Sequence, residues 1–142
     1  MRLAVALAWR CPPSDNAFSV GAVIVDATGA ELSRGFSREG GDPVVHAEES
    51  ALGKLSPGAP RLAGATIYST LEPCSHRQSR PLTCTELIIR GGLRRVVIAW
   101  REPALFVADA QGYVLLSRAG LTVTELPGFA ADAIAPNRHL VR

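Results

Sequence analysis

Two stretches constrain this chain more than any others: Val45-His46-Ala47-Glu48, and Thr70-Leu71-Glu72-Pro73-Cys74-Ser75-His76-Arg77-Gln78-Ser79-Arg80-Pro81-Leu82-Thr83-Cys84. Together they supply one His and two Cys, three soft or borderline metal ligands, and a carboxylate two residues after the His. A zinc site that does chemistry has three protein ligands and an open position for water, whereas a structural site takes four. Cys11 could supply a fourth, but nothing in its context, Arg10-Cys11-Pro12-Pro13, recommends it. An open site follows, provided the fold brings His46, Cys74 and Cys84 together with Glu48 beside them.

Periodicity and turn residues outline such a fold. Residues 2–10 read as a short, mostly buried helix, since Leu3, Ala6, Leu7 and Arg10 follow helical spacing. Cys11 to Asn16 is a loop. Residues 18–26 form a β-branched apolar run bounded by turn residues, expected to be a central strand covered on both faces. Residues 27–30 are a hairpin turn, and residues 31–37 alternate as its antiparallel partner. Further strands are expected at 65–71, 94–100 and 121–124, and helices at 113–119 and 128–140. Residues 101–112 carry no clear signal. Strands alternating with helices make a layered α/β domain, with parallel strands after the first hairpin.

The candidate ligands fall at element ends. A helix is expected from His46 to Leu55, with Ala47, Ala51, Leu52 and Leu55 on its apolar face. His46 and Glu48 would then stand about 200° apart around the axis, tolerable only because both sit at the helix start. Cys74 follows the strand at 65–71, and ligand sites of open α/β sheets lie at strand carboxyl ends. Thr83-Cys84-Thr85-Glu86 has the form of a capping box before the apolar Leu87-Ile88-Ile89, so Thr83 is the expected N-cap and Cys84 the first helical residue. A Cys at a helix N-terminus has its thiolate favoured. Gly91-Gly92 ends that helix.

The 142 residues suffice for one domain, 1–142, with a real core. Net charge is +2, which gives no basic stripe for a nucleic-acid partner. No stretch approaches the roughly 20 apolar residues of a membrane span. The apolar opening of residues 3–9 is followed by Arg10-Cys11-Pro12-Pro13, where a cleaved signal would need small residues. Three Cys without regular spacing do not make a disulfide framework, so a reducing, cytoplasmic setting is expected.

His46-Ala47-Glu48 followed by Thr70-Leu71-Glu72-Pro73-Cys74-Ser75-His76 resembles the deaminase domain of the riboflavin-pathway pyrimidine deaminases, within the cytidine deaminase-like superfamily. Val20-Gly21-Ala22-Val23-Ile24-Val25 and the segment from Leu87 to Val97 match that family as well. The resemblance covers roughly residues 3–125. It implies a three-layer αβα sandwich with a five-stranded mixed sheet, Zn2+ held by His46, Cys74 and Cys84, and Glu48 as catalytic proton shuttle. The reaction implied is hydrolytic deamination: an acidified water gives its proton to Glu48 and attacks a ring carbon bearing an amino group, and ammonia leaves. The small-molecule substrate implied is an aminopyrimidine, and the favoured form is a phosphoribosylated diaminopyrimidine. A cytosine nucleoside, nucleotide or other aminated heterocycle is the alternative, and an editing deaminase or a non-catalytic zinc scaffold fits less well.

The chain departs from the family in three places. The second Cys follows Arg80-Pro81-Leu82-Thr83, where the riboflavin enzymes read Thr-Pro-Pro. The family's Asn-Pro falls at Ala17-Phe18, leaving Asn16 as the nearest Asn to contact substrate. The bifunctional members carry a reductase domain that is not in these residues, so a separate reductase partner enters the expectation, together with a homo-oligomer, dimer or tetramer. Ser75 and His76 are expected substrate contacts from the Cys-Ser-His match. Arg77 and Arg80, either solvated or phosphate-binding, lie in the same loop, and Arg80 is the stronger phosphate candidate because it falls where the riboflavin family keeps a basic residue before its Pro. Glu49 is expected to turn to solvent, and Glu72 to be either a surface carboxylate or an orienting group. Cys11 and His139 read as a spectator and a surface residue.

Overall fold

The structure, a computed structural model, describes residues 1–103 and 110–141. Its elements are α1 (Arg2–Ala8), β1 (Gly21–Val25), β2 (Glu31–Phe36), α2 (Ala47–Gly53), β3 (Thr66–Ser69), α3 (Cys84–Gly91), β4 (Arg95–Ile98), α4 (Gly112–Arg118), β5 (Thr122–Glu125) and α5 (Ala130–Ile134). The five strands form one sheet in the order β2-β1-β3-β4-β5. β1 pairs antiparallel with both β2 and β3, while β3, β4 and β5 run parallel, so the sheet is mixed.

β1 is covered on both faces because its alternate residues serve two cores. Ala22 and Ile24 join the larger cluster with Ala47, Ala51, Ile67, Ile88 and Val96. Val23 packs with Ala4 and Leu7 of α1 on the other face. Two glycines set the helix distances. A Cβ at Gly21 would strike the Ala4 carbonyl of α1, and one at Gly35 would lie 2.6 Å from the Ala47 carbonyl and the Ala51 amide of α2. The expected three-layer αβα sandwich with a five-stranded mixed sheet is the fold observed.

Several details differ from expectation. The buried face of α1 is Ala4, Leu7 and Ala8, with Leu3, Ala6 and Arg10 exposed. The helix expected over residues 128–140 is broken into α5 and two flanking 3-10 turns, Pro127–Phe129 and Ala135–Asn137. Pro136 has no N–H to donate and its ring crowds the carbonyl four residues back, so an α-helix cannot run through it. His46 is the N-cap of α2, extended at φ −90° and ψ 159°, rather than a helical residue. The angular separation from Glu48 computed for two helical residues therefore does not apply, and both side chains reach one cavity. Part of the uncharted stretch 101–112 lies outside the described residues. No helix among the described residues is long and apolar enough to cross a membrane.

Candidate metal centre and active-site cavity

Three element ends converge beyond the carboxyl end of β3. His46 caps α2, Cys74 lies in the loop after β3, and Cys84 opens α3. The capping box is formed as read: Thr83 accepts from the Glu86 amide at 3.2 Å, and Glu86 accepts from the Thr83 amide at 2.8 Å. The loop is held from behind by Glu72, a buried orienting carboxylate and not a surface one. Glu72 accepts from the amides of Glu102 at 3.2 Å and Tyr113 at 2.7 Å. Gly112 is pressed against the Pro73 carbonyl, leaving no room for a side chain.

One ligand atom each from His46, Cys74 and Cys84 lies within 4.8 Å of the others, and both Cys are buried. Cys84 Sγ is 3.4 Å from His46 Nδ1, and the Cys84 amide donates to Cys74 Sγ at 3.3 Å. The two sulfurs share one hydrogen bond. The hydrogen bond from Cys84 holds Cys74 down to about 4 against the opposing effect of burial, with His46 assisting. The same hydrogen bond, together with burial, pushes Cys84 well above its ordinary value. The first amide of α3 thus donates to the neighbouring sulfur. Two Cys sulfurs and one imidazole, with no fourth side-chain ligand in the cluster among the described residues, fit a zinc pocket with three protein ligands and an open position.

Glu48 opens into the same place. It is buried, and Ser69 at the end of β3 donates to its Oε1 at 2.7 Å. Burial raises its pKa, against the pull of the His46 charge and the Ser69 hydrogen bond. His46, Cys74 and Glu48 line a cavity of ≈ 580 Å3 whose wall includes Asn16, Arg38, His76, Arg77 and Glu102.

Of the expected substrate contacts, Asn16, His76 and Arg77 border this cavity, and Ser75 and Arg80 do not. Ser75 Oγ is taken by the Gln111 amide at 3.0 Å. Arg80 spans Glu49, at 2.8 Å from its Nε, and Asp42. Glu49 does not turn to solvent. Burial works to raise its pKa, but hydrogen bonds from Arg80 and Arg77 outweigh it and lower the group, and it also accepts from the His46 amide at 3.3 Å. Glu49 thus ties the loop between the two Cys to the start of α2.

Two site residues carried no sequence signal. Glu102 lines the cavity with its Oε2 buried and without a hydrogen-bond partner among the described residues. Burial, then the charges of Cys74 and Glu72, raise it to about 7. Arg38, in the hairpin's exit, lines the cavity although nearly all of it is buried. Cys11 donates to the Val20 carbonyl at 3.3 Å, outside the metal cluster, and His139 is exposed with its Nε2 2.8 Å from the Ser14 carbonyl.

A family model of the cytidine and deoxycytidylate deaminase zinc-binding region matches residues 1–100. The diaminohydroxyphosphoribosylamino-pyrimidine deaminase of Schizosaccharomyces pombe is 43% identical over 129 residues, covering 89% of this chain and 31% of that protein. Riboflavin biosynthesis protein RibD of Escherichia coli is 39% identical over 124 residues, again 31% of its length. The chain thus spans about a third of the length of these relatives. The solved diaminohydroxyphosphoribosylaminopyrimidine deaminase/5-amino-6-(5-phosphoribosylamino)uracil reductase of Thermotoga maritima superposes with a TM-score of 0.79 at 31% identity, over 96% of this chain and 37% of that one. Rib2 deaminase of Aspergillus oryzae, a C-terminal deletion mutant, shares the fold with a TM-score of 0.78 at 24% identity, over 99% of this chain and 94% of that one.

Proposed function

The chain belongs to the cytidine and deoxycytidylate deaminase zinc-binding family, and on that premise we propose that it is a zinc-dependent hydrolytic deaminase of a phosphoribosylated diaminopyrimidine, as in riboflavin biosynthesis. The observation that carries the reading is a buried carboxylate, Glu48, opening into the same cavity as His46 and Cys74 of the three-donor cluster that Cys84 completes. His46, Cys74 and Cys84 would hold the zinc. Zinc there supplies a water acidified toward a pKa near 7.

The remaining work falls to the chain's own groups. Glu48 moves two protons in turn, one from the attacking water to the ring nitrogen and one from the hydroxyl added to the ring carbon to the departing amine, a role favoured by a carboxyl whose pKa burial raises. Ser69 fixes the rotamer from which it does so. Glu102, with an unsatisfied buried oxygen, faces the heterocycle and matches its N–H groups. Asn16, His76 and Arg77 border the space left for the substituent beyond the ring. The names of the relatives support the phosphoribosylated substrate. The same reading takes the chain as a cytoplasmic homo-oligomer whose product passes to a separate reductase.

The test is a panel assay. Zinc is measured by mass spectrometry, and ammonia release is followed from the phosphoribosylated diaminopyrimidine, cytidine and dCMP. About one zinc per chain and preferential release from the first compound are expected. Preferential release from cytidine or dCMP would replace the substrate, and a metal-free chain inert after zinc addition would remove the reaction.

A further inference from the structure

The charges around the cavity do not balance in the way the loop sequence suggests. Arg77 and Arg80 look like the cations that would receive an anionic substrate. Both are already engaged: Arg77 Nη1 lies 2.9 Å from Glu49, Arg80 Nε lies 2.8 Å from Glu49, and Arg80 also pairs with Asp42. Two guanidinium groups face two carboxylates, so the cluster is neutral within itself. Arg77 spends its other nitrogens on the Val44 carbonyl and Ser79.

Arg38 is different. Its residue is 7% exposed, and it lines the cavity. Its Nε donates to the Pro12 carbonyl at 2.9 Å, Nη1 to the Phe18 carbonyl at 3.0 Å and, longer, to Ala17, and Nη2 to Ser19 Oγ at 2.8 Å. All of these acceptors are neutral. No carboxylate among the described residues makes an ion pair with it, and its neighbour Glu39 is committed to Lys54 at 2.9 Å. Arg38 also has φ of 62°, the positive-φ residue other than glycine among those described. A left-handed non-glycine backbone costs free energy, and such strain gathers at functional sites. A buried guanidinium without a counter-charge is costly, because neutral dipoles repay only part of the lost hydration. An anion entering the cavity would repay the rest.

We propose that Arg38 is the residue that receives the phosphate monoester of the substrate, and that Arg77 and Arg80 brace the loop between the two Cys. This rests on the phosphorylated-substrate reading above. Guanidinium suits phosphate geometry, and here it is anchored on residues 12–19, so Asn16 and the phosphate site are set by one group. The same anchoring predicts that loss of Arg38 also disturbs that loop, which the test has to separate from loss of the charge.

The experiment compares the phosphorylated aminopyrimidine riboside with its dephosphorylated twin on wild type, Arg38→Met, Arg38→Lys and Arg80→Ala. Titration calorimetry with ribose 5-phosphate gives a readout independent of turnover. Wild type is expected to prefer the phosphorylated compound. In Arg38→Met both rates fall because the loop clamp is lost, and the preference ratio falls a further ~10-fold, equivalent to ~1.4 kcal/mol. Ribose 5-phosphate binding is lost in parallel. Arg38→Lys keeps most of the preference despite a lower Tm, and it decides the matter if Arg38→Met does not fold. Arg80→Ala leaves the ratio unaltered.

An unchanged ratio in Arg38→Met, or a ratio lost in Arg38→Lys while calorimetry is unaffected, would reduce Arg38 to a loop clamp and overturn the assignment. A wild type that deaminates both compounds equally overturns it together with the phosphorylated-substrate reading. If neither compound is deaminated, the substrate reading fails alone. Calorimetry then decides: binding present in wild type and absent in Arg38→Met upholds the phosphate site, and equal binding overturns it.

Discussion

Glu48 is a carboxylate kept out of water beside the two Cys sulfurs, with a hydrogen bond from Ser69 to orient it. Two substitutions separate its chemistry from its placement. Glu48→Gln should keep zinc and lose turnover toward the upper end of the ~10²–10⁴-fold typical of general acid–base catalysis, because this group moves more than one proton. Ser69→Ala should keep zinc and KM and lower kcat by ~10–100-fold, matching the ~1.5–3 kcal/mol of a hydrogen bond to a charged group. Ser69→Thr should recover most of it. A Ser69→Ala enzyme with full kcat would show that packing alone holds Glu48. Glu102 makes a separate prediction in stability. Burial holds its pKa near 7 against an ordinary 4.5, so the folded state disfavours its ionised form. Wild type should therefore lose stability as pH rises from about 4.5, and the loss should be complete above about 7. Glu102→Gln cannot ionise, so its Tm advantage over wild type should open across that window and then level off. A Tm difference flat across the window would contradict a buried Glu102.

The site is positioned by element ends, and their legibility in the sequence was uneven for physical reasons. The start of α3 could be read from Thr83-Cys84-Thr85-Glu86, because a capping box is a local pattern with a local cause. The alternation of β2 could be read for the same reason. The role of Glu49 could not, since its partners Arg77 and Arg80 lie 28 and 31 residues away and nothing local distinguishes a paired Glu from a solvated one. Glu102 owes its burial to packing against Glu72 and the cavity wall, which only the folded chain supplies. Pro136 was a readable break that helical periodicity overrode. At this scale Gly35 is the sharpest test. It lets β2 approach α2 at the turn that carries His46 and Glu48, with 2.6 Å between a built Cβ and the α2 backbone. Gly35→Ala must displace that helix, at a cost of about 1–3 kcal/mol for overpacking. Weaker zinc retention in a chelator competition is expected alongside a lower Tm. Normal zinc retention would mean that the strand yields instead of the helix.

At the scale of the whole molecule, the cavity is closed by parts of the chain remote in sequence. The zinc cluster joins residues 46, 74 and 84, so metal binding should add to folding: chelation should lower Tm, and Cys74→Ser should give a low Tm that zinc no longer raises. The outer wall depends on a different clasp. Asn137, buried in the 3-10 turn after α5, accepts the Ser19 amide at 2.7 Å and donates to the Ser19 carbonyl at 3.0 Å and the Ala133 carbonyl at 3.2 Å. His139 approaches the Ser14 carbonyl close by. Residues 14–19, which carry Asn16, Ala17 and Phe18 of the cavity wall, are thus gripped by Arg38 on one side and by a segment 118 residues away on the other. Asn137→Ala would strand both backbone groups of buried Ser19, each worth about 1–3 kcal/mol when left unsatisfied. The expected loss is roughly 2 kcal/mol or more in urea denaturation, with zinc content intact and KM rising more than kcat falls. That split follows from where the clasp acts: it sets the wall that meets the substrate and leaves Glu48 and the three metal-binding side chains where the sheet and helix starts hold them. If KM stays put while kcat collapses, the clasp reaches the reacting centre, and the two halves of the cavity are not mechanically separate.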